Sequence, residues 1–191
     1  NDSVIAGMAS VVLVCISPRF NPHAAARPAM AAMASNPHPP IAPIAAATAP
    51  VVYGPVGIGI KCWDTFDNST NKCGVYTIEL LADGLRIFSF KADRFSYSET
   101  RYINAHIDYA ARATSGEYLH RLHIQPGDRL SMYDGHVGRG VLKFNDDAEH
   151  EIKIIVTDVH NNRSWVTFRV RSVSNPPVPP AEIKCSKVIP W

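Results

Sequence analysis

The sequence predicts an all-β protein: an immunoglobulin-like antiparallel β-sandwich of about seven strands with a short helical insertion, preceded by an Ala/Pro-rich, largely irregular segment. Three observations predict it. From Val56 onward, short apolar runs alternate with turn signals; two pairs of runs have matching faces, as hairpins require; and the composition breaks near Pro50. Before that break only Asp2, Arg19 and Arg27 carry charge, whereas the remainder has the mixed composition of a folded domain. The expected organisation is therefore residues 1–50 as an Ala/Pro-rich linker or aberrant segment, 51–173 as the β-sandwich, and 174–191 as a Pro-rich tail.

Closely spaced prolines remove backbone donors, and alanine buries too little surface to offset chain entropy, so residues 21–50 read as a linker or disordered segment. The apolar run 4–16 is too short to span a bilayer. It also lacks the preceding Lys or Arg of a signal peptide, and Val14 stands where a lipoprotein signal wants a small residue before Cys15. A buried strand or an incidental apolar stretch is the expectation. Position 1 is Asn, so the chain reads as a fragment or a processed product.

In the folded part, Tyr76, Ile78 and Leu80 share one face, Asp83-Gly84 supplies a tight turn because both residues tolerate positive φ, and 85–91 returns as the partner strand. Further strands are expected at 118–124, 130–133 and 141–144, with turns at 125–128 and at Asp134-Gly135. The clearest hairpin is the last: Ile152, Ile154 and Val156 point one way, Asn161-Asn162 turns, and Val166, Phe168 and Val170 return on a matching face. Residues 100–113 instead carry a helical pattern. The prolines after Asn175 end the sheet.

From residue 51 onward, 17 Lys and Arg are interspersed with 16 Asp and Glu. No one-sided basic patch marks a nucleic-acid or anionic-membrane partner, and no membrane span is expected. Four cysteines form no Cys-x-x-Cys pair, which argues against a zinc knuckle or a redox site. Cys62 and Cys73 flank a polar stretch of turn formers and are a candidate disulfide, with two unpaired thiols as the alternative; a disulfide would imply an oxidising compartment. His120 and His123, three apart on an expected strand, point to opposite faces, cannot chelate one ion, and read as solvent-facing or edge histidines. The loop acids Asp64, Asp67, Asp146, Asp147 and Asp158 lack the spacing of a calcium loop and read as turn formers. There is no Gly-x-Ser-x-Gly elbow. Trp63, Trp165, Tyr97 and Tyr102 are candidates for an aromatic binding surface, and Glu99, Arg101 and Asp108 for structural ion pairs in which Arg101 satisfies either acid.

Four stretches, taken in order, carry a resemblance. They are Tyr53-Gly54-Pro55-Val56-Gly57-Ile58-Gly59-Ile60, Gly74-Val75-Tyr76, Phe95-Ser96-Tyr97-Ser98-Glu99-Thr100-Arg101-Tyr102-Ile103-Asn104 and Thr157-Asp158-Val159-His160-Asn161-Asn162-Arg163-Ser164. Together they resemble, over residues 51–172, the region downstream of the catalytic domain in Gram-negative lysostaphin-type (LytM-like) zinc peptidases. Members of that family cleave peptide cross-links of peptidoglycan with one zinc, held by a His-x-x-x-Asp motif and the second His of a His-x-His motif. Neither motif occurs in this chain. The resemblance therefore carries over no catalytic or metal residue, and zinc is expected only in a catalytic domain outside this chain.

That catalytic domain would stand directly before Tyr53, where this chain has its Ala/Pro-rich segment. The segment is then either an out-of-frame or misassembled translation, or a linker at the edge of a truncated chain. The resemblance implies an accessory domain of a cell-wall peptidoglycan endopeptidase, inactive alone, in the bacterial envelope on its periplasmic side, with peptidoglycan or an envelope protein as partner. The alternatives are a stand-alone carbohydrate-binding module using Trp165 or Trp63, and a protein-interaction module using an edge strand.

Overall fold

The computed structural model of the protein describes residues 10–15, 49–65, 72–116 and 118–175. Among these, the strands are β1 (Ser10–Cys15), β2 (Val51–Val52), β3 (Gly54–Lys61), β4 (Asp64–Thr65), β5 (Lys72–Cys73), β6 (Thr77–Ala82), β7 (Leu85–Lys91), β8 (His120–Arg121), β9 (Tyr133–His136), β10 (Leu142–Phe144), β11 (Glu149–Thr157) and β12 (Arg163–Ser172). A 3-10 turn over Tyr97–Tyr102 leads into two short helices, α1 (Ile103–His106) and α2 (Tyr109–Ser115). The protein is thus mostly β with a helical insertion at the expected place.

Period-two alternation builds the larger sheet. Ile78 and Leu80 on β6, and Ile152, Ile154 and Val156 on β11, are buried, while Thr77, Glu79, Lys153 and Ile155 between them are not fully buried. The sheet runs β2-β12-β11-β6-β7-β9 and is antiparallel apart from the β2–β12 pair. In the smaller sheet β3 carries β1 on one edge and both β10 and β8 on the other. Val56, Ile58 and Ile60 of β3 join Ile78, Leu80, Phe88, Phe90, Ile152, Ile154, Val166 and Val170 in one apolar core. Each such side chain contributes about 1.5–3 kcal/mol on burial, so the core between the sheets dominates stability.

Turn chemistry fixes the registers. Asp83 (φ 49°) and Gly84 (φ 79°) make the β6–β7 turn as expected. The five-residue loop between β11 and β12 follows the pairing Thr157↔Arg163 and is organised by Asp158.

Several expectations are corrected. Asp134-Gly135 is not a turn: it lies inside β9, where Phe88↔His136 and Phe90↔Tyr133 leave one extra residue on β9. Gly135, at φ 88°, supplies the positive φ that this bulge needs. The strand expected at 130–133 accordingly begins only at Tyr133. Of 118–124, only His120–Arg121 pairs as a strand, because Leu122, His123 and Ile124 turn inward consecutively rather than alternating. Within the segment expected to precede the fold, Ser10–Cys15 is a strand paired antiparallel with β3; the linker expected at 21–50 lies, but for its last two residues, outside the described residues, as does the tail beyond Asn175.

Cys62 and Cys73 are free thiols. The β4–β5 ribbon sets Cys73 opposite Asp64, two residues out of step with Cys62. Burial pushes the Cys62 thiol up to about 12, which keeps it protonated and unreactive.

Candidate functional site

The outer face of the larger sheet carries an open polar groove with a cavity volume of about 470 Å³. The same alternation that sends Ile78, Phe88 and Phe90 inward turns Thr77 and Glu79 of β6 and Ser89 and Lys91 of β7 toward it. Asp134, displaced by the β9 bulge, closes one side; Asn161 and Arg163 from the β11–β12 hairpin close the other. Lys91 lies 5.7 Å over the Tyr76 ring and 3.8 Å from Asp93, and Glu79 pairs with Arg86 at 3.3 Å. Two cations, two carboxylates, hydroxyls and an amide thus line one shallow surface. Such a groove suits an extended polar chain held by many hydrogen bonds rather than a compact apolar ligand.

The hairpin that forms the rim is held from within. Asp158, 1% exposed, accepts hydrogen bonds from the His160 and Asn162 amides at 2.8 and 2.9 Å and from Asn162 Nδ2 at 2.8 Å.

A second cluster sits beneath the helical insertion. His106 is fully buried, stacks on Phe90 at 4.3 Å, and faces His120 with Nε2 3.1 Å from Nδ1. His123, 4% exposed, takes a hydrogen bond at Nε2 from the Gln125 amide at 2.8 Å. This corrects the expectation of a solvent-facing or edge residue at His123, because the chain between β8 and Gln125 turns inward and carries it into the core; His120, on the edge strand β8, is half-buried. Burial holds His106 well below the usual imidazole range and His120 and His123 at about 4, with Arg121 adding repulsion at His106 and His123. The rings are neutral at pH 7. The described residues contain no group of three or more His, Cys, Asp or Glu arranged to hold a metal ion.

The expected ion pairs are rearranged. Asp108 pairs with Arg121 at 3.4 Å, not with Arg101, and its carboxylate also caps α2 by accepting from the Ala111 amide at 3.1 Å. Glu99 accepts from the Ser131 amide at 3.0 Å, which lowers its pKa. Arg101 lies 5.2 Å over the Tyr102 ring. The aromatic candidates stand on three separate elements: Trp63 after β3, Tyr97 and Tyr102 on the 3-10 turn, and Trp165 on β12. Tyr97 is 96% exposed, Tyr102 packs partly against the core, and Lys61 and Lys153 lie over Trp63 and Trp165. None of the four lines the groove. The groove residues missed from sequence, Ser89, Lys91 and Arg163, had one signal, their outward place in the alternation.

Of the loop acids, Asp146 belongs to a surface clamp and Asp67 lies outside the described residues. His150 joins Asp83 (Nδ1 to Oδ2, 2.7 Å) and Asp146 (Nε2 to Oδ1, 3.0 Å), tying the β6–β7 turn to the β10–β11 loop. Both ring nitrogens must donate, so the hydrogen bonds to Asp83 and then Asp146 raise the His150 pKa, while Asp146 is held at about 2. A raised histidine stabilises fully below its unfolded value near 6.5 and loses that contribution as pH rises through its folded value. In an NMR titration His150 is expected to titrate above the ordinary imidazole range, and Asp83→Asn to lower that value; an unchanged value would show the clamp does not form in solution.

Compared with protein-family models, with curated proteins and with solved structures, the chain matches none. No helix among the described residues is long and apolar enough to cross a membrane.

Proposed function

We propose that this chain is a non-catalytic accessory domain of a cell-wall peptidoglycan endopeptidase of the lysostaphin-like zinc peptidase family, built as an immunoglobulin-like sandwich, and that it binds or positions the wall through the groove between Lys91 and Arg163. The observation that carries the reading is that groove: it offers cations to carboxylates, carboxylates to amines and hydroxyls to amides, the chemistry of a glycan bearing short peptides. The residues behind the family resemblance fit a scaffold role. Asp158 and Asn162 bond to each other within the groove's rim, and Ser96 and Glu99 hold the helical insertion, Ser96 by accepting from the Ser98 amide. Zinc and peptide cleavage belong, on this reading, to a separate catalytic domain, and the site of action is the periplasmic face of the bacterial envelope.

Co-sedimentation with purified sacculi tests it. Wild-type protein is expected to pellet with the sacculi, and Lys91→Glu with Arg163→Glu to weaken this at least about tenfold, since reversing contact charges repels a ligand that they attract. Both positions are on the surface, so stability is expected to move by no more than about 0.5 kcal/mol. Binding that survives charge reversal but is lost in Trp165→Ala or Trp63→Ala would favour an aromatic carbohydrate-binding module instead. No pelleting would overturn both readings and leave protein interaction.

A further inference from the structure

We propose that the helical insertion, residues 97–115, is a latch released by acid, with His106 as its anchoring residue. The 3-10 turn and both helices bury one residue between them, His106, which is wholly enclosed. Its ring stacks on Phe90 of β7 at an interplanar angle of 10° and lies 5.9 Å from Tyr133 of β9. Nε2 meets His120 Nδ1, while Nδ1 is buried without a hydrogen-bond partner. One proton shared between the facing nitrogens satisfies that contact until both rings are charged, but the enclosed Nδ1 has no acceptor for the second proton of a charged His106. Charging His106 places an N–H and a full charge in an enclosed apolar site, and charging His120 as well sets N–H against N–H.

Among the described residues, nothing packed around the ring offers a free counter-charge. From β8 and the chain after it come His120, Arg121 and His123, all cationic or cationic when charged, and all three oppose a charge on His106. The carboxylate of Asp108 is occupied by Arg121 and the Ala111 amide. Tyr133 donates its hydroxyl to Asp128 at 2.6 Å. Among the described residues, the other ties of the insertion are few: the bridge between Ile107 and His120, with the Asp108 amide donating to the Leu119 carbonyl at 2.8 Å, Arg121 Nη1 to the Ala105 carbonyl at 3.2 Å, the half-buried Tyr102 and Ile103, and the Glu99 carboxylate on the Ser131 amide. Because the released histidines would titrate near 6.5 and the enclosed ones lower, the insertion's contribution is complete above about 6.5 and declines as pH falls. The opening constant rises by up to roughly tenfold per pH unit for each histidine that gains a proton. His150 has the opposite sign and sits on β11, bonded to Asp83 and Asp146.

Hydrogen exchange of the whole chain at pH 7, 6 and 5, corrected for intrinsic rates, tests the proposal. Amides of 103–115 are expected to lose protection by about five- to tenfold between pH 6 and 5 for each histidine released, while those of β11 and β12 keep theirs. His106→Phe, which preserves the stack on Phe90 without a titrating group, is expected to lessen that pH dependence. Equal protection of 103–115 at pH 7 and 5, or loss in step with β11 and β12, would overturn the latch from the wild-type profile alone, should the variant not fold. A folded His106→Phe with undiminished pH dependence would overturn the role of His106.

Discussion

Gly140→Ala is expected to destabilise the protein by about 3 kcal/mol or more, the sum of positive-φ strain and a backbone clash. Gly140 is buried with φ 76°, and a Cβ there would press on the Leu122 carbonyl oxygen, on His123 Cα within 2.9 Å and on Phe88 Cδ2 at 3.0 Å. Two of those atoms are backbone and cannot swing aside. The segment is also strapped in place: the Ile124 amide donates to the Arg139 carbonyl at 2.8 Å, and Arg139 Nε returns to the Ile124 carbonyl at 3.2 Å. Relief by local shift would disturb Leu122 and Phe88, both at 0% exposure. Gly127→Ala is the matched control, because Gly127 has φ 82° with nothing within 4 Å of the added carbon. It should cost only about 1 kcal/mol, the strain alone. Urea denaturation of the two variants separates the contributions, and equal losses would mean that the packing around Gly140 is not as described.

Asp158→Ala is expected to cost about 3 kcal/mol and to abolish groove binding together with stability of the hairpin. The carboxylate is buried and accepts three hydrogen bonds from His160 and Asn162; removing it forfeits all three, at about 0.5–1.5 kcal/mol each. The hairpin residues it holds, Val159, Asn161 and Arg163, form the groove rim. Loss of the carboxylate therefore couples stability to binding, whereas Arg163→Glu affects binding alone. Thermal melting beside sacculus pelleting checks this. A stable Asp158→Ala that still binds would show that the loop orders itself without its carboxylate.

Much of the fold was legible because two periodicities dominate it. The alternation of Ile78 with Glu79, and of Ile152, Ile154 and Val156 with their neighbours, announced the strands of the larger sheet, and Asp83-Gly84 announced its turn. Asp134-Gly135 misled because the same positive-φ residue serves a turn or a bulge, and only the pairing partner, here Phe88 and Phe90, decides between them. The inward turn at Leu122, His123 and Ile124 broke the alternation on which the histidine expectation rested. The pairing of Asp108 with Arg121 leaves no trace in the sequence, because β8 meets the insertion only through the fold, by the bridge between Ile107 and His120. The groove was least legible of all. Its lining comes from three strands and a hairpin, and no local pattern distinguishes an outward lysine that lines a groove from one that merely meets water.

The most direct test of the account is an NMR titration of isotopically labelled protein with soluble muropeptides. The account predicts saturable shift changes centred on Thr77, Ser89, Lys91, Asn161 and Arg163, with Trp165 and Trp63 unmoved. Shifts confined to the tryptophans, or none at millimolar ligand, would contradict it.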